Sequence, residues 1–126
     1  VQDVSQGDID VLVEEYYNKY DMILDGCDPE KFKKHVAVQA GIEIGFERFL
    51  EEKNYQAIVT HFGDLGSLKQ LPGLAIQRLM EKGYGFGGEG DWKTAAMGIE
   101  AVYIDGDTTI RNLQNELRWN SMYFSK

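Results

Sequence analysis

The chain has 126 residues, of which 43% are hydrophobic and 12% aromatic, enough for one modest core but not for a second domain. Its net charge of −8 and pI near 4.7 oppose binding to nucleic acid or to an anionic membrane, because both partners are themselves negative. A single cysteine, Cys27, excludes an internal disulfide, and with no signal-like or long apolar segment the sequence predicts a soluble cytoplasmic protein.

Two amphipathic helices are predicted in the first half of the chain. Cap-type residues at positions 5–8 precede apolar residues spaced by three and four, and Gly26 is expected to end this first helix. The second helix should begin at Asp28-Pro29, because this pair combines a capping side chain with a proline at the first helical position. Apolar residues on one face then continue to Leu50.

The second half of the chain alternates short strands with helices. Strands are predicted at residues 55–60, 84–87 and 101–104. Pro72 should open one helix that Gly83 ends, and Asp91 should cap a short helix over residues 92–97. This order predicts a single small α/β domain of three layers, a short parallel sheet flanked by helices in a Rossmann-like or flavodoxin-like βαβαβα arrangement. Ligands are expected beyond the carboxyl ends of the strands.

One glycine-rich segment keeps a dinucleotide-binding βαβ domain open as an alternative. Residues 85–90, Gly-Phe-Gly-Gly-Glu-Gly, satisfy G-x-G-x-x-G between a predicted strand and helix, and Asp105 would end the next strand where a ribose-binding acid lies. Glu89 opposes this interpretation, because it would direct negative charge at the pyrophosphate. The predicted helix after the loop is also very short.

Two longer motifs carry a family resemblance. They are Leu68-Lys69-Gln70-Leu71-Pro72-Gly73 and the ten residues 87–96, which read GGEGDWKTAA. In order and spacing, residues 1–96 resemble the central domain of L-arabinose isomerases, and residues 97–126 resemble the extreme carboxy-terminal tail of the same enzymes. The resemblance implies a single domain in which the amino-terminal domain and most of the carboxy-terminal domain are absent, by natural deletion or by engineering.

The resemblance also implies which chemistry to expect. These enzymes interconvert L-arabinose and L-ribulose by proton transfer between neighbouring carbons, with a divalent metal, usually manganese, held by two glutamates and two histidines. Glu89 matches one glutamate, which acts in acid/base catalysis and as a metal ligand. The other is expected in Phe-Glu-Asp-Leu, where this chain has Gly63, and both family histidines belong to the missing portion. The chain alone is therefore expected to be inactive and to bind no manganese.

A reduced site for a divalent metal or a pentose is an alternative. His61 and Glu89 should both lie at the carboxyl edge of the sheet, with Asp64 or Asp91 nearby, so that His61 becomes a second candidate metal ligand. The opposing interpretation, which we favour, makes His61 a solvated histidine at a strand end and Asp91 a helix cap, because two or three loosely placed ligands bind a metal poorly.

A non-catalytic role is also predicted from the end of the chain. Four apolar or aromatic residues would promote self-association if they were left unburied: Trp119, Met122, Tyr123 and Phe124. The chain would then be a folded structural domain that associates with itself.

Overall fold

The computed structural model describes the backbone of residues 4–61, 63 and 66–105. The elements follow in the order α1 (Gln6–Lys19), α2 (Pro29–Glu52), β1 (Ala57–Val59), α3 (Gly73–Glu81), β2 (Gly85–Gly87) and α4 (Trp92–Asp105). The two strands pair in parallel, with Ala57 opposite Gly85 and Val59 opposite Gly87, and α3 lies in the connection between them. The predicted small α/β domain with a short parallel sheet is confirmed.

Helices cover both faces of the sheet. Ile58 and Phe86 lie opposite each other and pack against a core cluster from α2 and α3, which consists of Leu50, Ile76, Leu79 and Met80. Successive residues of a strand point to opposite faces, so Gly87 faces the other way. On that side a Cβ at Gly87 would lie 3.3 Å from the Ala95 Cβ of α4. The sheet is therefore a middle layer between α2 and α3 on one face and α4 on the other.

Helix α1 packs on α2 around a second core cluster, formed by Val13, Tyr16, Val36 and Ala40. Ser5 caps α1 by accepting a hydrogen bond from the Asp8 N–H at 3.2 Å. The helix ends at Lys19, so the predicted end at Gly26 is wrong. The backbone is already extended at Tyr20, which lets the Tyr20 hydroxyl accept a hydrogen bond from Arg78 in α3. The earlier end of α1 thus accompanies a contact between residues that are 58 positions apart in the sequence.

Local capping signals are confirmed in the other helices. Asp28 accepts a hydrogen bond from the Lys31 N–H at 2.9 Å, and Pro29 follows it as the first residue of α2. Gly83, with φ of 102°, closes α3 in a Schellman motif: its N–H donates to the Met80 carbonyl while the Tyr84 N–H donates to the Leu79 carbonyl. No helix in the described part of the chain combines the length and the apolar character needed to cross a membrane.

The third predicted strand is wrong. Residues 101–104 lie within α4, which continues from Trp92 to Asp105 as one helix. The short apolar run from 101 to 104 fits either a strand or a buried helical turn, and periodicity alone does not separate the two. Buried positions 95 and 98, spaced by three, indicate the helical face that packs toward the sheet. The sheet in the described residues therefore has two strands.

A buried charged network joins the first three helices. Glu43 of α2 is fully buried and accepts hydrogen bonds from the Tyr16 hydroxyl of α1 and the Arg78 Nε of α3, at 2.5 and 2.8 Å. Lys82 donates to its second carboxylate oxygen at 3.1 Å. The Arg78 guanidinium is only 4% exposed and also contacts Glu15 on α1. Each buried polar group of this network has a partner of opposite charge or polarity, as burial requires.

The same network predicts a loss of stability at alkaline pH. Burial, and then the hydrogen bond to the Glu43 carboxylate, raise the pKa of Tyr16 above its usual value of 10.0. Because the folded pKa exceeds the unfolded one, the stabilisation is complete below pH 10.0 and is lost as the pH rises toward the folded value.

We therefore expect the free energy of unfolding to decrease above pH 10, and to decrease less steeply in Tyr16→Phe. Urea unfolding of both proteins at several pH values measures this difference. Tyr17→Phe, at the exposed neighbouring position, is the matched control and should keep the slope of the unchanged chain. Equal slopes in Tyr16→Phe and the unchanged chain would contradict the prediction.

Candidate functional site

A tight turn after β2 carries the candidate carboxylate Glu89. The Asp91 N–H donates to the Gly88 carbonyl at 3.0 Å, which closes a four-residue turn. Its two central residues, Glu89 and Gly90, have φ values of 55° and 80°. Positive φ at both central positions is typical of a type I′ turn, which favours asparagine and glycine rather than glutamate. Glu89 therefore occupies a backbone conformation that its side chain disfavours.

Backbone hydrogen bonds join this turn to the carboxyl end of β1. The Thr60 N–H donates to the Gly87 carbonyl at 3.0 Å, and the Gly90 N–H donates to the Thr60 carbonyl at 3.1 Å. Thr60 Oγ is buried and has no hydrogen-bond partner among the described residues. Both strand ends and the Glu89 turn thus meet at the edge of the sheet where a parallel α/β fold is expected to bind its ligand.

The strained backbone at Glu89 gives a stability prediction. A left-handed conformation costs an ordinary L-residue roughly 1–2 kcal/mol, and glycine avoids this cost. We expect Glu89→Gly to raise the free energy of unfolding by about 1 kcal/mol, measured by urea denaturation. Gly90→Ala, which places a Cβ at a φ of 80°, should have the opposite effect. A decrease in stability in Glu89→Gly would instead show that the carboxylate itself stabilises the fold.

His61 lies beside Glu89. The His61 Nε2 is 3.8 Å from the Glu89 Oε2, and the two side chains are 61% and 55% exposed. The structure therefore brings together the two residues that the sequence selects as candidates, and it leaves both accessible from solvent. At this separation the imidazole and the carboxylate form no direct hydrogen bond, but both can contact one ligand or one bridging water.

Gly63 determines how the His61 ring is held. The Gly63 N–H donates to the His61 Nδ1 at 3.1 Å. A Cβ at Gly63 would lie 3.1 Å from both the Cε1 and the Nδ1 of the ring, closer than nearly all such contacts. The imidazole therefore fills the space that a side chain at position 63 would take.

The other predicted ligands do not complete a metal site in the described part of the chain. Asp91 caps α4 by accepting a hydrogen bond from the Thr94 N–H at 3.0 Å, as predicted. Asp64 lies outside the described residues. No group of three or more histidine, cysteine or acidic side chains in the described segments could hold a metal ion. His61 and Glu89 alone provide too few ligands to hold manganese.

The structure does not support the ribose-binding acid that the dinucleotide alternative requires. Asp105 is the last residue of α4 and does not follow a strand. No strand therefore places it at the carboxyl edge of the sheet, where a ribose-binding acid is expected. Glu89, at the centre of the glycine-rich turn, is exposed and negatively charged where a pyrophosphate would have to approach. The dinucleotide alternative therefore rests on the glycine pattern alone, and the charge of Glu89 within that pattern opposes it.

The segment that carries the Glu89 turn also matches a known protein family. The family model of the L-arabinose isomerase central domain matches residues 1–105. This chain belongs to that family. The match includes both motifs that carry the resemblance, as well as the Glu89 turn and α4. The comparison of residues 97–126 with a carboxy-terminal tail stays a prediction.

Several L-arabinose isomerases are similar to this chain over most of its length. The L-arabinose isomerase of Serratia proteamaculans is 53% identical over 108 residues, which cover 84% of this chain and 21% of that enzyme. L-arabinose isomerase 1 of Clostridium acetobutylicum is 55% identical over 94 residues, 75% of this chain and 19% of that enzyme. The Escherichia coli enzyme is 52% identical over 97 residues, 77% of this chain and 19% of that enzyme. The chain thus spans about a fifth of the length of these relatives.

The hydrogen bond between Gly63 and the His61 ring was not predicted from the sequence. The sequence predicted that His61 and Glu89 lie at the same edge of the sheet. The missing side chain at position 63 was the available signal, because it leaves room for the ring of a histidine two residues earlier.

Proposed function

We propose that this chain contributes the Glu89-bearing part of a site that interconverts L-arabinose and L-ribulose. The observation that carries the proposal is the exposed Glu89 carboxylate, held at a φ of 55° at the carboxyl edge of the parallel strands. Such strain is retained at sites where a side chain must be presented in one position. A carboxylate placed there can move a proton between neighbouring carbons of a bound sugar.

We further propose that the chain by itself does not carry out this reaction. Isomerisation through an enediol also moves a proton between the two sugar oxygens, and Gly63 has no side chain that could act as the second acid/base group. The described residues do not fit manganese, since they offer His61 and Glu89 alone. We therefore derive no step through a metal. Glu89 remains the proposed metal-ligand position, to be completed by ligands beyond the described residues.

Calorimetric titration with Mn²⁺, combined with an assay for L-ribulose, tests this proposal. We expect no turnover and no micromolar binding of Mn²⁺ by the chain alone. Glu89→Gln is the matched variant, because it keeps the size of the side chain and removes the charge. Turnover, or micromolar binding that Glu89→Gln abolishes, would contradict the proposed inactivity and favour a residual metal or pentose site.

A chimera tests the contribution of the segment to the full reaction. Residues 57–96 of this chain would replace the matching segment of the Serratia proteamaculans enzyme, with which the chain is 53% identical over 108 residues. We expect turnover by the chimera to be at least about 100-fold lower than that of the unchanged enzyme. Gly63→Glu in the chimera should restore turnover, and the addition of Glu89→Gln should remove it again. A chimera that Gly63→Glu does not rescue would contradict the proposed function.

Self-association is a second proposal. The residues from which the sequence predicts it lie outside the described residues: Trp119, Met122, Tyr123 and Phe124. Exposed apolar side chains elsewhere in the chain support the proposal. Among the described residues, Ile23, Val11, Met97 and Trp92 are 81%, 69%, 67% and 66% exposed. Apolar side chains exposed to this degree favour association. Sedimentation velocity at several concentrations should show a species larger than the monomer, and a monomer at every concentration would contradict the proposal. The cytoplasmic location stays a prediction.

A further inference from the structure

The hydrogen bond from Gly63 determines which nitrogen of His61 carries the ring proton. A neutral imidazole has one N–H and one acceptor nitrogen. Because the Gly63 N–H donates to Nδ1 at 3.1 Å, Nδ1 is the acceptor and the proton lies on Nε2. Nε2 is the atom that lies 3.8 Å from the Glu89 Oε2. His61 therefore presents an N–H, and not a lone pair, to the Glu89 carboxylate.

This arrangement opposes metal binding by His61. A metal ion at Nε2 needs the lone pair of that nitrogen, which moves the ring proton to Nδ1. The Nδ1 proton would then face the N–H of Gly63, so that two donors oppose each other in place of one hydrogen bond. A carboxylate, in contrast, accepts a hydrogen bond from the Nε2–H with the Gly63 hydrogen bond intact.

The lack of a side chain at Gly63 is part of the same arrangement. With a Cβ only 3.1 Å from Cε1 and Nδ1, any other residue would require the ring to shift by a few tenths of an ångström from its position against the backbone N–H that orients it. The ring is more than half exposed and free to move when pushed. Gly63 and His61 therefore act as a unit, in which glycine supplies both the donor and the space.

We propose that His61 is a positioning residue for Glu89, which holds the carboxylate through an Nε2–H donor toward a hydroxyl-bearing ligand. The separation of 3.8 Å exceeds a direct hydrogen bond, and a small rotation of either exposed side chain or one bridging water closes it. The importance of Glu89 rests on the proposed function. The orientation of the ring rests on the Gly63 contact alone.

Long-range ¹H–¹⁵N correlation spectra of the labelled full chain test the orientation of the ring. At about pH 8, above the usual histidine pKa of roughly 6.5, we expect His61 to show the pattern of a single Nε2–H tautomer. His61→Gln assigns the signal, and His35 on the exposed side of α2 is the internal reference. Gly63→Ala should shift the His61 pattern toward a mixture, whereas Gly88→Ala, whose Cβ would meet only the Phe86 ring at 4.0 Å, should leave it unchanged.

The ¹³C carboxylate signal of Glu89 tests the positioning role. His61→Leu should shift this signal, and His61→Gln, which retains a donor near the Nε2 position, should restore it. An Nδ1–H tautomer, a His61 pattern indifferent to Gly63→Ala, or equal Glu89 shifts in the leucine and glutamine variants would each overturn the inference.

Mn²⁺ and L-arabinose added to the chimera separate this inference from the proposed function. If the His61 pattern is as expected and neither addition moves the Glu89 signal, the proposed function fails and the role of His61 stands. If the additions move the signal and the tautomer is Nδ1–H, the role of His61 fails and the proposed function stands.

Discussion

Replacing Glu43 by leucine is expected to lower the free energy of unfolding by about 4 kcal/mol, since removing one partner of a buried ion pair leaves the other charge uncompensated. Glu43 is fully buried, and its carboxylate contacts Arg78, which is only 4% exposed. The change also removes the acceptor for the Tyr16 hydroxyl and for Lys82. The three helices α1, α2 and α3 would lose their common contact.

Two further variants show that the loss comes from the uncompensated charge and not from the substitution itself. Glu81→Leu breaks an exposed ion pair with Lys19 on the same helices and should cost less than about 1 kcal/mol. The double variant Glu43→Leu with Arg78→Leu should be more stable than Glu43→Leu alone, because both buried charges are then removed. Urea unfolding measures all four proteins. A double variant less stable than Glu43→Leu would contradict this explanation.

Gly87→Ala is expected to lower the free energy of unfolding by about 3 kcal/mol, at the upper end of overpacking costs. The new Cβ would lie 2.0 Å from the Asp91 carbonyl oxygen and 2.9 Å from its carbon, a backbone contact that no side-chain rotation relieves. The turn carrying Glu89 and the start of α4 would both have to move away from the sheet.

The neighbouring glycine supplies the control for Gly87. A Cβ at Gly88 would meet only the Phe86 ring, at 4.0 Å, so that Gly88→Ala should change the stability by less than about 0.5 kcal/mol. Urea denaturation of the two variants gives the comparison directly. Equal effects at the two positions would show that the close approach of α4 to β2 is not required for stability.

The sequence predicted the features that depend on neighbouring residues. Asp28, Pro29 and Gly83 occupy the capping positions expected of them, because a cap depends on a side chain and on backbone groups within three or four residues. The glycine-rich segment that carries Glu89 was likewise predicted to lie between a strand and a helix. Family membership followed from the same continuous motifs.

Only the tertiary structure decided how distant segments meet. Residues 101–104 became helical within α4, although their apolar run also suits a strand. The network through Tyr16, Glu43 and Arg78 joins residues that are 27 to 63 positions apart, and His61 meets Glu89 across the two strand ends. Local propensity and capping act over a few residues, so the sequence by itself determined the helix caps, the first two strands and the family. Which charges are buried together, and which site residues touch, depends on the packing of the whole chain.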